Sequence, residues 1–115
     1  MPVRHALSDP LVEAIAERFR VLGEPMRIRI LDRLRAGEAT VGRLAEDLGT
    51  TQQNVSKHLS VLARSGLVAR EKRGNAVICR IADPSVFELC EQVCGGLARQ
   101  VAALQAIVDG AEVSA

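Results

Sequence analysis

Residues 48–62, LGTTQQNVSKHLSVL, combine an apolar side with a side whose groups form directional hydrogen bonds and ion pairs. Val55, Leu59 and Leu62 recur at the spacing of one helix face. At about 100° per residue, the opposite face carries an amide, a hydroxyl and two cations. These groups belong to Gln53, Ser60, Lys57 and Arg64. Such a face is either an ordinary wetted surface or a surface that lies against a charged partner.

Length and composition fit one domain, residues 1–115, with a single aliphatic core. The chain is 48% hydrophobic and 25% charged, which excludes disordered and membrane classes. The first residues, MPVRHALSDP, are too short and polar for a secretory signal, so we expect a cytoplasmic protein. Three cysteines, an odd number, do not suggest a disulfide framework. The absence of Trp and Tyr removes the aromatic platforms that usually hold single-stranded nucleic acid.

Positive charge is concentrated in residues 51–80. This stretch contains six Lys and Arg residues and one acidic residue, Glu71, so it carries a net charge of +5 and the rest of the chain −4. Such asymmetry is expected of a surface that binds a polyanion, and a solvated basic surface is the alternative.

Residues 40–66 have the residue types of a helix-turn-helix. Ala45 is small enough to let two helices cross closely, Gly49 gives the turn its backbone freedom, and Val55 supplies a buried aliphatic side chain. The expected caps and stops of the two helices are Thr40, the capping box Thr50–Gln53, and Gly66.

Residues 67–81, LVAREKRGNAVICRI, change to the alternating period of β-strands around the hairpin-type turn Gly74-Asn75. Helices are also expected at residues 9–22, with Asp9 as N-cap, from Pro25 to Gly37, and at residues 84–108. The sequence therefore predicts a mainly α (α+β) fold, a winged helix-turn-helix with about five helices and a two-stranded β-hairpin wing. The last helix carries a heptad of apolar residues suited to pairing: Phe87, Cys90, Cys94, Leu97, Val101, Leu104 and Val108.

In this fold the second helix of the helix-turn-helix enters the major groove of double-stranded DNA. Gln53 can contact a base edge, most naturally adenine, and Lys57 and Arg64 can neutralise phosphates. Ser60 is better explained as solvent-facing. The predicted DNA-binding residues are Thr50, Thr51, Gln52, Gln53, Asn54, Ser56, Lys57, His58, Arg64, Lys72, Arg73 and Asn75.

Three segments, FRVLGEPMRIRILDRL, TVGRLAEDLGTTQQNVSKHLSVLARSGLV and REKRGNAVICRIAD, resemble the arsenical-resistance and metallothionein repressor family (ArsR/SmtB). The resemblance covers about residues 12–108. It implies a DNA-binding transcriptional repressor, a homodimer built from residues 9–22 and 84–108, on a palindromic operator that an inducer releases.

The metal sites of that family are not reproduced. Thr40-Val41-Gly42 stands where the family has a Cys-Val-Cys core. The family's last-helix zinc site needs an Asp-x-His near the helix start and a His-x-x-Glu further along. Here Asp83 is followed by Pro84-Ser85, and the later positions, near Gly96 and Arg99, carry no ligand. His58 matches a position often occupied by His in the recognition helix, where helix packing or a phosphate contact is favoured over a metal.

Cys90 and Cys94 lie four residues apart on one helix face, close enough to share a thiophilic metal or metalloid ion. Two ligands do not complete a site, so Cys79 or a second copy of the pair would have to contribute. Oxidation or persulfidation of the pair is another trigger. The alternative is that both cysteines only pack on the heptad seam, and packing is also expected of Cys79.

Other classes are disfavoured. The chain has no catalytic triad, phosphate-binding loop or metal-hydrolase motif, so we expect no enzyme. A thiol redox protein would need a lower-pKa Cys-x-x-Cys pair. A winged helix that binds protein would favour an apolar wing, and the tip here is KRGN.

Overall fold

The computed structural model describes residues 6–114, and for residues 111–114 the backbone alone. The first five residues, which begin the segment MPVRHALSDP, lie outside the described part. The chain divides into two compact units, one ending at Asp83 and one beginning at Pro84.

The first unit contains four helices in the order that the sequence predicts. They are α1 (Asp9–Leu22), α2 (Pro25–Arg35), α3 (Val41–Leu48) and α4 (Gln52–Arg64). The N-cap of α1 is Ser8, not Asp9, since the Ser8 hydroxyl accepts from the Leu11 amide at 3.3 Å. Asp9 instead lies in the first turn, where its carboxylate interacts favourably with the helix dipole.

The cap of α4 is also displaced by one residue from the prediction. Thr51 is the N-cap, and its hydroxyl accepts from the Asn54 amide at 3.0 Å. Thr50 belongs to the end of α3, because its own amide donates to the Ala45 carbonyl at 3.0 Å. The predicted capping box Thr50–Gln53 is therefore wrong.

A small antiparallel sheet completes the first unit. Its strands are β1 (Ala39–Thr40), β2 (Val68–Arg73) and β3 (Ala76–Ile81), in the spatial order β1-β3-β2. The predicted hairpin is confirmed, but the sheet has three strands, not two. β1 pairs with β3 through only Ala39 and Thr40, which is too short a segment to show an alternating pattern in the sequence.

The core of this unit is aliphatic, as the composition predicts. Its fully buried side chains come from α2, α3, α4, the residue just before β2, and β3: Ile30, Leu31, Leu44, Val55, Leu59, Leu62, Leu67 and Cys79. Each large aliphatic side chain contributes about 1.5–3 kcal/mol by leaving water. This core fixes α4 on α2 and α3, so that one face of α4 is committed inward.

The second unit is one helix, α5 (Val86–Ser114). It begins two residues later than predicted, because Pro84 and Ser85 form a turn in which their carbonyls accept from the amides of Phe87 and Glu88 at 3.1 Å. It also continues beyond residue 108, where the prediction ended. Despite the length of α5, no helix among residues 6–114 is long and apolar enough to cross a membrane.

Candidate nucleic-acid interface

The turn between α3 and α4 has the geometry that the sequence pattern requires. Gly49 adopts the left-handed conformation, with φ 65° and ψ 37°, which costs a glycine no steric strain. Ala45 and Val55 are buried on the two helices that this turn joins. The helix-turn-helix is therefore present as predicted, and α4 is its second helix.

The outer face of α4 is polar and exposed. Gln53, Lys57 and Arg64 are exposed to solvent, whereas Val55, Leu59 and Leu62 are completely buried. We call the exposed set Gln53, Lys57 and Arg64 the polar ridge. Among the described residues, neither Lys57 nor Arg64 has a carboxylate within ion-pairing distance.

The start of α4 presents further hydrogen-bonding groups. Thr51, Gln52 and Ser56 are exposed, while Thr50 and Asn54 are half-buried. The Asn54 amide group donates to the Thr50 hydroxyl at 3.1 Å, which fixes the orientation of both side chains.

Ser60 is half-buried on α4, and its hydroxyl makes two hydrogen bonds. Its hydroxyl donates to the Ser56 carbonyl at 3.0 Å and accepts from Nη1 of Arg70 at 3.2 Å. Ser60 therefore connects α4 to the wing strand β2.

His58 faces the interior, between α4 and α2. The residue is 7% exposed, and its Nδ1 lies 3.3 Å from Nη1 of Arg27 and 3.6 Å from Oε2 of Glu24. Burial lowers the pKa of His58, an effect that Glu24 opposes and that Arg27 and Lys57 reinforce. The structure thus gives His58 the helix-packing role, and its predicted DNA contact is corrected.

The wing hairpin turns at Gly74 and Asn75, as predicted, with Gly74 at φ 61°. Successive side chains of a strand point to opposite faces. Val68 is buried, so Arg70 and Lys72 share its inner face of the sheet, and Glu71 and Arg73 lie on the outer face.

Ion pairs occupy the outer face of the wing. Arg73 contacts Glu38 and Glu71, both at 3.0 Å, and Arg80 contacts Glu71 at 3.3 Å. The hydrogen bond from Arg73 is the main reason that the pKa of Glu71 is lowered, and the same carboxylates raise the pKa of Arg73. Arg73, a predicted DNA-binding residue, therefore already has two carboxylate partners.

An open groove of about 390 Å³ lies between the start of α4 and the wing. It brings Gln52 and Ser56 of α4 together with Asn75 of the wing turn, three predicted DNA-binding residues that the sequence placed on two separate elements. Thr40 and Gly42, which the sequence did not assign to DNA, also line it.

Arg70 is the residue that sequence reasoning missed most clearly. It contributed to the positive charge of residues 51–80, but its proximity to α4 depends on the register in which Arg70 pairs with Cys79. The local sequence carries no signal of the bond to Ser60.

The cysteines differ in environment. Cys79 is completely buried in β3, where burial raises the pKa of its thiol. On α5, Cys90 is half-buried and Cys94 is exposed. In the described part of the chain, no three His, Cys, Asp or Glu residues are grouped so that they could hold a metal ion.

Comparison with known proteins supports this description of the fold. A family model described as a helix-turn-helix domain matches residues 22–71. An uncharacterized helix-turn-helix-type transcriptional regulator of Mycobacterium tuberculosis is 40% identical over 103 residues, which cover 89% of this chain and 90% of that protein. Its crystal structure matches with a TM-score of 0.75 and 41% identity, covering 84% of this chain and 97% of that chain.

Two further matches carry family names. A homodimeric winged helix-turn-helix DNA-binding domain of Mycobacterium bovis, described as a possible ArsR-family regulator, has a TM-score of 0.72 and 28% identity, covering 84% of this chain and 92% of that chain. The Mycobacterium tuberculosis repressor SmtB is 37% identical over 73 residues, which cover 64% of this chain and 54% of that protein. The winged helix-turn-helix and these relatives together show that the chain belongs to the ArsR/SmtB family of helix-turn-helix transcriptional regulators.

Proposed function

We propose that this protein is a cytoplasmic transcriptional repressor that binds a palindromic operator as a homodimer and is released by an inducer. The polar ridge of α4 carries the proposal. Its amide and two cations are exposed on the helix that follows the turn, and the cations have no acidic partner among the described residues. A helix in this position presents such groups to base edges and phosphates in the major groove.

The homodimer is supported by apolar side chains that water would otherwise contact. On α1, Leu11, Ile15 and Phe19 are exposed. On α5 the heptad residues from Leu97 to Val108 are exposed, with exposed fractions between 52% for Val108 and 66% for Val101, and Val93 and Ile107 are exposed beside the heptad. Patches of this kind mark protein interfaces, and the heptad spacing suits a second helix. Two copies related by a two-fold axis match a palindromic operator.

The inducer is proposed to act through Cys90 and Cys94. Both lie on α5, the helix that carries the heptad, and one of the two is exposed. A dimer would add a second pair of thiols, so that a thiophilic metal, a metalloid or a thiol-reactive oxidant has up to four sulfurs available. The competing proposal is that both cysteines pack in the dimer seam and that the protein is regulated otherwise or is constitutive.

The DNA-binding face is tested with an operator selected from a pool of random duplexes. The double variant Lys57→Ala/Arg64→Ala should weaken binding to every duplex and reduce the slope of log affinity against log salt by about four, because each of the two protomers loses two phosphate contacts. Gln53→Ala should instead lower the preference for the operator over a mismatched site, by about 1–3 kcal/mol for a lost bidentate base contact.

The matched control is Arg29→Ala, which removes a positive charge from an exposed position on α2. It should leave operator affinity and the salt slope nearly unchanged. Unchanged operator affinity in the Lys57→Ala/Arg64→Ala variant would rule out the polar ridge as the DNA-binding face.

A further inference from the structure

The wing and α4 are joined by one hydrogen-bonded chain of side chains. Nη1 of Arg70 donates to the Ser60 hydroxyl at 3.2 Å, and that hydroxyl donates its proton to the Ser56 carbonyl at 3.0 Å. Because the Ser60 proton is committed to the carbonyl, the oxygen lone pairs face Arg70. The guanidinium of Arg70 is therefore held beside α4 although Arg70 belongs to β2.

The two faces of the wing differ in their unpaired positive charge. On the outer face, Arg73 and Arg80 are balanced by Glu38 and Glu71. On the inner face, neither Arg70 nor Lys72 has an ion-pairing carboxylate within 4.0 Å among residues 6–110, whose side chains the structure describes. The uncompensated charge of the wing thus lies on the face that Ser60 joins to α4.

We propose that Arg70 is a DNA-contacting residue whose guanidinium binds a backbone phosphate beside α4, and that Ser60 is the positioning residue that holds it there. This inference rests on the proposed DNA-binding function. A guanidinium has five N–H donors in a planar fork. Its bond to Ser60 uses one of them, so donors remain for a bidentate phosphate contact.

The geometry also explains why arginine is suited to this position. A lysine ammonium offers a point charge, whereas the guanidinium can bond Ser60 and a phosphate at the same time. Holding the long side chain in advance reduces the conformational freedom lost when DNA binds.

The test measures the salt dependence of binding to a fluorescein-labelled duplex of about 30 base pairs, long enough for two half-sites one helical turn apart. Arg70→Gln should lower the slope of log affinity against log salt by about two, as expected for one lost phosphate contact in each protomer of the homodimer. The matched control is Arg80→Gln, which removes the same charge from the outer face and should change the slope much less. Circular dichroism melting verifies that each variant is folded.

Two further variants test the role of Ser60. Ser60→Ala should weaken binding with little change in the salt slope, and in its presence Arg70→Gln should have a smaller effect than it has alone. Arg70→Lys should retain the slope of the wild type and be insensitive to Ser60→Ala. If Arg70→Gln does not fold, the effect of Ser60→Ala on the wild type and on Arg70→Lys still tests the role of Ser60.

Equal loss of slope in Arg70→Gln and Arg80→Gln would overturn the inference, since any wing charge would then serve. An unchanged slope in Arg70→Gln, alongside weakened binding in Lys57→Ala/Arg64→Ala, would overturn it and leave the proposed function intact. A wild-type protein that binds no duplex would overturn the proposed function and this inference together.

Discussion

Arg33 and Arg43 both contact one carboxylate, that of Asp47, with their Nε atoms at 2.8 and 3.2 Å. The bond from Arg33 is the main reason that the pKa of Asp47 is lowered. Lys57 and Arg64, on the polar ridge, have no such partner among the described residues. The side-chain type is therefore a poor guide to function at the scale of the residue, and the presence of a nearby carboxylate separates structural cations from those available to a phosphate.

His58 allows a prediction about stability. Burial lowers its pKa below the ordinary 6.5, so the folded state takes up the proton less readily than the unfolded state. The contribution of neutral His58 to the free energy of unfolding is therefore fully present above pH 6.5. It decreases as the pH falls from 6.5 toward the pKa of His58 in the folded state. Denaturant unfolding measured between about pH 8 and pH 5 should show this decrease in the wild type and not in His58→Gln.

The two exposed carboxylates with lowered pKa values, Asp47 and Glu71, titrate outside this pH range. The lowered pKa values of Asp47 and Glu71 make their contributions disappear only below their ordinary values of 3.8 and 4.5. Parallel pH profiles of the wild type and His58→Gln would show that His58 titrates alike in both states.

The outward positions of Gln53, Lys57 and Arg64 could be predicted, because helical periodicity is a local property. The environment of His58 could not, since its partner Arg27 lies 31 residues away. The same holds for Arg73, whose partner Glu38 is 35 residues away. Contacts of this range depend on how elements pack, which a single sequence does not state.

At the scale of elements, the helices and the hairpin could be predicted from the spacing of apolar residues, from the glycines and from the capping residues. The errors lie where neighbouring residues compete for one role, as Ser8 and Asp9 do at α1 and Thr50 and Thr51 do at α4. The strand β1 was missed because its two residues are strand only by pairing with β3. Element type is therefore local information here, whereas exact ends and edge strands depend on tertiary contacts.

The heptad of α5 leads to a prediction about assembly. Leu97 is 57% exposed in the single chain, and a second helix on the seam would bury it. Leu97→Glu should raise the dissociation constant of the dimer at least about a hundredfold, because each of two copies loses an apolar contact of about 1.5–3 kcal/mol. Analytical ultracentrifugation over a range of concentrations measures this change.

Gln92→Glu is the matched control, since it adds the same charge on the side of α5 opposite Cys90 and Cys94. It should leave the dimer intact. A wild-type protein that sediments as a monomer at every concentration would contradict the homodimer itself.

At the scale of the whole molecule, a net charge of +1 conceals a strong separation of charge. Residues 51–80 carry +5, and within the wing the outer-face arginines are neutralised while the inner-face cations are not. The first separation could be counted from the sequence, whereas the second required the strand register. A dimer would place two such surfaces against successive major grooves, so any change in the spacing of the two copies would alter operator affinity.

Thiol chemistry on α5 is one way to produce that change. In a mobility-shift assay with arsenite, zinc, cadmium, nickel, peroxide and polysulfide, at least one agent should release the wild type from its operator and fail to release Cys90→Ser/Cys94→Ser. A tenfold loss of operator affinity corresponds to a coupling free energy of about 1.4 kcal/mol. Cys79→Ala should respond like the wild type, because the buried Cys79 thiol has a raised pKa and stays in its unreactive protonated form. If the wild type and Cys90→Ser/Cys94→Ser respond alike to every agent, both cysteines serve only to pack the seam of α5.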